Sequence, residues 1–325
     1  MLVVTDRGVA PHWAPAAMRS LRAAGLSASL EVLPRGERTK SAAVLARLWS
    51  ACASADLERG DAIVALGGGV VGDVAGFAAA TWLRGIDWVG VPTTLLAQVD
   101  SAIGGKTAID LREGKNLAGA FHQPAGVLLD PRTLATLPAR HVRAGLAEVV
   151  KTGFAVDAGL FRLCERRSGE LAAHAPRAIA AAAERSARAK ARIVLADERE
   201  AGLRSALNFG HTTAHALEAA LGYRRLLHGE AVAIGMRVAV RLSVEHAGLP
   251  TAEAERLGAL LDELGLPRRL PPIAVERLID AMRLDKKRRG GEVRWVLTPR
   301  MGLANLPRLI SGRQIRAVLL AAGAR

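Results

Sequence analysis

Cysteine is nearly absent from this 325-residue chain: only Cys52 and Cys164 occur, far apart and with no metal or redox spacing. A disulfide framework or a C-x-x-C site is therefore excluded, and free thiols in a cytoplasmic protein are the expectation. Aromatic residues make up only 3%, which leaves few platforms on which bases could stack. Together with the scatter of its basic residues along the chain, that scarcity argues against nucleic acid as the partner, despite a formal charge of +14. Long apolar runs are missing as well, none reaching the length of about 20 residues that spans a membrane. Met1 leads straight into "LVVTD" without the charged and apolar regions of a leader, so neither a signal peptide nor an anchor is expected. Lysine is the last scarcity. Seven of the 45 basic residues are lysine, at 40, 106, 115, 151, 190, 286 and 287, and most of them fall inside the motifs described next.

What is present divides at about residue 138. Up to there, short apolar runs bounded by Gly, Pro or Asp ("LVVTD", "SLEVLP", "DAIVALGG", "WVGVPTT", "AGVLLDP") alternate with helical stretches such as "KSAAVLARLWSACASA" and "VGDVAGFAAATWL". That order predicts an α/β layer around a mostly parallel, Rossmann-like sheet over 1–138. From "LPARHVRAGLAEVVKTG" onward, long alanine-rich helices predict an all-α region over 139–325, with only "EVRWVLTPR" reading as strand. A ligand site in a cleft shared by the two halves is the expectation.

"DAIVALGGGVVGDVAGFAAAT" runs strand, glycines, helix, and Gly67, Gly69 and Gly72 satisfy G-x-G-x-x-G. Glycines there let backbone N–H groups approach a pyrophosphate at the positive end of a helix, although a structural tight turn would read the same way. The ribose-binding acid expected after the next strand is missing, since Asp87 precedes "WVGVPTT". "SAIGGKTAID" is not a Walker A loop either, because Asp100 stands where its first glycine is required. Lys106 and Lys115 read as cations aimed at phosphate or carboxylate, or else as solvent-facing turn lysines.

His211 and His215, in "LNFGHTTAHALE", are four apart on a helical segment. Such a pair reads either as core or as two metal ligands on one face. Glu148 in "GLAEVVKTG" and His228 in "LLHGEAVAIGM" stand in runs that read as buried, where an unpaired charge is costly. Glu148, His211 and His228 together make a carboxylate and two-imidazole set suited to zinc with one position open.

Seven segments, "GGGVVGDVAGFAAATWLRGI", "VPTTLLAQVDSAIGGKTAID", "GKNLAGAFHQP", "GLAEVVKTG", "LNFGHTTAHALE", "LHGEAVAIGM" and "DKK", occur in the order found in the 3-dehydroquinate synthase family, which the chain resembles from Leu2 onward. The resemblance implies a carbon–oxygen lyase of aromatic amino acid biosynthesis. Such enzymes convert 3-deoxy-D-arabino-heptulosonate 7-phosphate to 3-dehydroquinate and phosphate by transient oxidation, β-elimination, reduction and aldol closure. It implies bound NAD, a divalent zinc or cobalt ion, and a cytoplasmic homodimer. Metal ligands would be Glu148, His211 and His228. His215 would instead line a phosphate pocket with Lys106, Asn116, Asn208 and, from the other subunit, Arg84.

The same resemblance places Glu37 and Lys40 at the adenosine ribose. It assigns Gly68, Gly69, Val70, Gly72, Asp73, Thr93, Thr94, Lys106, Lys115 and the stretch Thr133, Leu134, Ala135 and Thr136 to the rest of the NAD site. Lys190 and Arg204 would receive the substrate carboxylate. Lys151, Asp100 and one of Lys286 or Lys287, with Lys287 preferred, would meet its hydroxyls. Arg140-His141 stands where the family usually has Arg-Glu, and "TAID" where "TGIN" is commoner. Related cyclases such as aminodehydroquinate synthase share the scaffold, and the carboxylate receptor argues for a phosphorylated sugar acid as substrate.

Overall fold

The computed structural model describes residues 1–287, 293–304 and 308–325, with the side chains of 284–287 also outside the described set. The chain forms two compact units, Met1–Pro138 and Ala139–Arg325.

In the first unit, β1 (Leu2–Asp6), α1 (Ala10–Ala23), β2 (Ser29–Leu33), α2 (Ala42–Ser54), β3 (Ala62–Gly67), α3 (Gly69–Thr81) and β4 (Asp87–Pro92) alternate. They are followed by the hairpin strands β5 (Lys106–Leu111) and β6 (Gly114–Phe121) and the short β7 (Gly126–Val127). Five strands make one sheet in the order β2-β1-β3-β4-β7, and every pairing is parallel. Parallel strands covered on both faces need apolar residues at every position, which is why β3, "AIVALG", is buried throughout. Successive side chains point to opposite faces. Leu2, Val4, Ile63 and Ala65 accordingly meet Leu45, Leu48, Val71 and Val74, whereas Val3, Val64 and Leu66 meet Ala14 and Met18 of α1. Cys52 and Cys164 are free and buried, and burial pushes their thiols up to about 11 and about 12.

The hairpin β5–β6 departs from the sequence reading, which took Lys106 and Lys115 to lie in turns. Lys106 opens β5 and Lys115 lies in β6, and the two strands pair antiparallel. Its second strand, "GKNLAGAF", has no buried residue and is rich in small ones, so it lacks the apolar alternation that marks a strand.

The second unit holds α4 (Ala139–Val156), α5 (Ala158–Arg166), α6 (Ser168–Ala172), α7 (Pro176–Ala196), α8 (His211–Ala220), α9 (His228–Ala247), α10 (Thr251–Glu263), α11 (Val275–Lys287) and α12 (Gly312–Ala321). One correction to an all-helical unit is a small antiparallel ribbon of β8 (Arg294–Trp295) and β9 (Arg308–Leu309). Two residues per strand leave almost no periodic signal, and only the first falls in the run that reads as strand. Helix α4 is apolar nearly all round and is buried from Ala144 to Ala155, as a helix enclosed by others must be. Phe154 packs edge-on to Phe161 and stacks on Phe209, with ring centres 5.3 and 5.7 Å apart. Among the described residues, no helix is long and apolar enough to cross a membrane.

Candidate functional site

Three helices of the second unit deliver one cluster. Glu148 lies mid-way along α4, His211 is the first residue of α8 and His228 is the first residue of α9. Helices carrying ordinary side chains at their crossing could not bring these residues together, and glycine removes the obstacle. A Cβ at Gly229 would collide with the Ala144 carbonyl on α4, one turn before Glu148. A Cβ at Gly235 would collide with the carbonyl of Gly210, the residue before His211. Gly210 itself holds φ at +83°, a conformation open to glycine at little cost.

The result is close. One donor atom each from Glu148, His211 and His228 lies within 4.8 Å of the others. Both imidazole Nε2 atoms stand 3.5 Å from the same oxygen, Glu148 Oε1. That is long for a hydrogen bond but close to the spacing of about 3.4 Å between ligands of one tetrahedral ion with bonds of about 2.0–2.1 Å. Glu148 Oε1 is buried and makes no hydrogen bond, so the donor set fits a divalent cation that would satisfy it. The other carboxylate oxygen pairs with Lys151 Nζ at 2.8 Å, and Lys151 donates to the Leu207 carbonyl at 2.8 Å.

Burial is the largest single influence on each member of the cluster, but attraction outweighs it at two of the three. Burial works against charge on Glu148, but Lys151 first, and the histidines after it, hold that carboxyl well below the usual range. Burial takes His211 down to about 3. It also opposes charge on His228, where the carboxylates of Glu148 and Glu218 together outweigh it and raise the ring to about 10. His215 lies beside the set rather than in it, its ring centre 5.3 Å from that of His211 and 6.2 Å from that of His228.

Around this cluster the unit collects other predicted residues. Lys190 on α7 and Arg204 are both buried. Arg204 donates to the Glu198 carbonyl, while Asp197 gathers the backbone N–H groups of Ala201, Gly202 and Arg204 at 2.8–2.9 Å. The Asn208 amide donates to Glu200, which holds φ at +61°. The side chains of Lys286 and Lys287 lie outside the described residues.

The first unit assembles a second group. Strand β3 ends at Gly67 and α3 starts at Gly69, so Gly68, Gly69, Val70, Gly72 and Asp73 occupy the first turns of a helix whose amides point outward. A cleft beside them is lined by Gly67, Gly68, Gly69, Gly72, Pro92 and Ser101, next to Asp100 in the turn Ala97–Ser101. Thr93 donates its N–H to the Gly67 carbonyl at 2.9 Å, and Thr94 Oγ1 caps the Ala97 N–H at 3.1 Å. Buried Lys40 donates to Asp73 at 2.6 Å and to Asn116. Asn116, expected at a phosphate, is thereby tied to the lysine expected at a ribose. Glu37 pairs with Lys115 at 2.9 Å. Burial pushes the Asp73 carboxyl up to about 6 against the pull of Lys40. Thr133, Leu134, Ala135 and Thr136 form the 3₁₀ turn Pro131–Thr136. Lys106 and Arg84 are exposed, Arg84 at φ +71°.

Four residues with structural roles at these sites escaped sequence reasoning. Gln98 is buried and donates to the Pro92 and Asp130 carbonyls and to Thr133 Oγ1 at 3.0–3.2 Å, clamping the end of β4 to the 131–136 turn. Asp197 organises the Arg204 loop. Glu230 accepts the Leu227 N–H at 2.9 Å and a two-pronged bond from Arg140 at 2.6 and 2.7 Å, fixing the start of α9. Glu218 faces His228. Only Glu218 left a readable signal, lying seven residues after His211 and so on the same face of α8.

Comparison with known proteins places the chain in one family. The profile for the 3-dehydroquinate synthase N-terminal region matches residues 30–144 and that for its C-terminal region matches 145–288. A 3-dehydroquinate synthase of a Nostoc species is 47% identical over 98% of this chain and 89% of its own. That of Bordetella pertussis is 48% identical over 98% and 88%. Among solved structures, a 2-epi-5-epi-valiolone synthase from Streptomyces hygroscopicus with NAD⁺ and Zn²⁺ bound superposes with a TM-score of 0.91 at 31% identity, covering 99% of this chain and 90% of that one. A 2-deoxy-scyllo-inosose synthase complexed with carbaglucose-6-phosphate, NAD⁺ and Co²⁺ gives 0.88 at 27% identity over the same shares. With both halves matched by one family's profiles and near-complete relatives at almost half identity, the chain belongs to the 3-dehydroquinate synthase family.

Proposed function

We propose that this protein converts 3-deoxy-D-arabino-heptulosonate 7-phosphate to 3-dehydroquinate and inorganic phosphate, using NAD and a divalent zinc or cobalt ion. The observation that carries the reading is the convergence of Glu148, His211 and His228 on one point inside a helical unit. When bound, the ion supplies Lewis-acid polarisation of substrate oxygens and NAD supplies a reversible hydride acceptor.

The chain's own residues account for the rest. Residues 1–138 serve as the NAD-binding domain. The first turns of α3 present amides to a pyrophosphate, with Glu37, Lys40, Asp73, Lys115, the two threonines after β4 and the 133–136 turn holding the nucleoside ends. Residues 139–325 serve as the metal- and substrate-binding domain. Lys190 and Arg204, both buried, are assigned to the substrate carboxylate. Asn208 and His215 are assigned to its phosphate, and Lys151, held 2.8 Å from Glu148, to a hydroxyl beside the metal. Asp100, Lys106 and Lys287 complete the polar array. We further infer a cytoplasmic homodimer in which exposed Arg84 reaches the other copy's phosphate group.

A second reading, a cyclase closer to 2-epi-5-epi-valiolone synthase, draws on the superposition above, but that enzyme is less similar in sequence than the dehydroquinate synthases. Phosphate release with the heptulosonate phosphate, NAD and zinc decides between them. Release that a chelator stops, that zinc or cobalt restores, and that His228→Ala abolishes is the expected result. A chain that holds zinc and NAD but leaves this substrate intact, while cyclising a phosphorylated sugar without a carboxylate, would establish the second reading.

A further inference from the structure

The His228 ring is held from both sides. Nε2 faces Glu148 Oε1 in the donor cluster at 3.5 Å. Nδ1 lies 3.2 and 3.3 Å from the two carboxylate oxygens of Glu218. Glu218 stands on α8, two helical turns after the ligand His211 and with its side chain mostly buried. We propose that Glu218 is a positioning residue that fixes which nitrogen of His228 binds the metal, an inference that rests on the metal centre proposed above.

The chemistry follows from hydrogen inventory. A neutral imidazole carries one N–H, and an ionised carboxylate only accepts. A ring that binds the metal would give up its Nε2 proton, and Glu218 would hold the one remaining hydrogen on Nδ1, directing the Nε2 lone pair to the ion beside Glu148 and His211. The other histidine is handled differently: His211 Nδ1 lies 3.4 Å from the backbone carbonyl of Phe209, an acceptor that no side-chain substitution removes. One ligand is thus oriented by the chain itself and one by an acid from the neighbouring helix. Outer partners of this kind fix ring orientation and raise ligand basicity. They also couple the helices, because the acid on α8 sets the ligand on α9 while α8 supplies a ligand of its own.

The test is zinc affinity of the full-length chain, measured by competition with a chromophoric chelator, with the absorption spectrum of the cobalt-loaded protein as a second readout. Glu218→Met keeps length and bulk but removes the strong acceptor, whereas Glu218→Gln keeps an acceptor oxygen. His228→Ala, alone and combined with Glu218→Met, closes a double-mutant cycle. Removing such an outer partner weakens metal binding about 10- to 100-fold. That loss is expected for Glu218→Met, with a changed cobalt spectrum, an unchanged metal-free melting temperature, and partial recovery in Glu218→Gln. In the His228→Ala background, Glu218→Met should make less than a twofold further difference. Affinity within twofold of the parent in Glu218→Met, or equal losses in the Met and Gln variants, overturns the proposal. Parental affinity in His228→Ala overturns the metal centre itself, which is a separate outcome.

Discussion

Lys40, Asp73, Asn116, Asp110 and Glu37 are polar groups drawn together in the first unit, and burial prevails over attraction at one of them. Desolvation carries the Asp73 carboxyl up to about 6, although Lys40 sits 2.6 Å away and pulls it down while Glu37 and Asp110 push it further up. A raised carboxyl favours the folded state most when protonated. That contribution is complete below the ordinary aspartate range and is lost as pH rises through about 6. The stability of the parent relative to Asp73→Asn should therefore fall by up to about 3 kcal/mol between pH 4 and pH 8, since each unit of displacement is worth about 1.4 kcal/mol. Urea unfolding of both proteins over that range reads the difference directly. A constant gap would mean that Lys40 has already cancelled the desolvation.

Single residues act here through the helices that carry them. The three helices of the donor cluster meet because Gly229 and Gly235 let α9 press its backbone onto α4 and onto the Gly210 turn. Gly229→Ala places a methyl where the Ala144 carbonyl already is, and overpacking of this kind costs about 1–3 kcal/mol. The larger effect is expected on the site: zinc affinity should drop at least tenfold, because α9 must move away from α4 and take His228 with it. A variant that melts lower yet binds zinc like the parent would show that the ligands follow one another and not the helix crossing. The start of α9 is fixed separately, by the Arg140–Glu230 pair and the Leu227 cap. His141, the departure from the family pattern, is exposed.

On the scale of the whole molecule, the proposed function assigns the two units different ligands, so each ligand should leave its own footprint. A ligand present at 100 times its Kd stabilises the state that binds it by about 2.7 kcal/mol. In hydrogen exchange followed by mass spectrometry, zinc should slow exchange in α4, α8 and α9, and NAD should slow it at the β3–α3 turn and the 131–136 turn. Zinc protection confined to residues 1–138 would refute the assignment of the metal to the helical unit.

Much of this was legible beforehand. The sheet strands were visible as short apolar runs, because a parallel strand buried on both faces must be almost wholly apolar, as β3 is. The change to helices near residue 138 was visible because periodicity changes with the element. What escaped was either too short or too exposed to carry a pattern: the two-residue β9 and the β5–β6 hairpin. Organising residues such as Gln98 and Asp197 escaped for another reason. Their partners are backbone groups, and any residue type supplies those.

The linear chain by itself determined which elements form and which side chains are too costly to bury alone, since propensity, periodicity and desolvation are local properties. It also carried the family's motifs in order, and hence the ligand trio as a resemblance. Tertiary structure alone decided that Glu148, 63 residues before His211, shares an oxygen with it at 3.5 Å, and that Glu218 faces His228 instead of solvent. Those contacts depend on how closely helix backbones approach one another, and that distance is set by packing, not by any one segment.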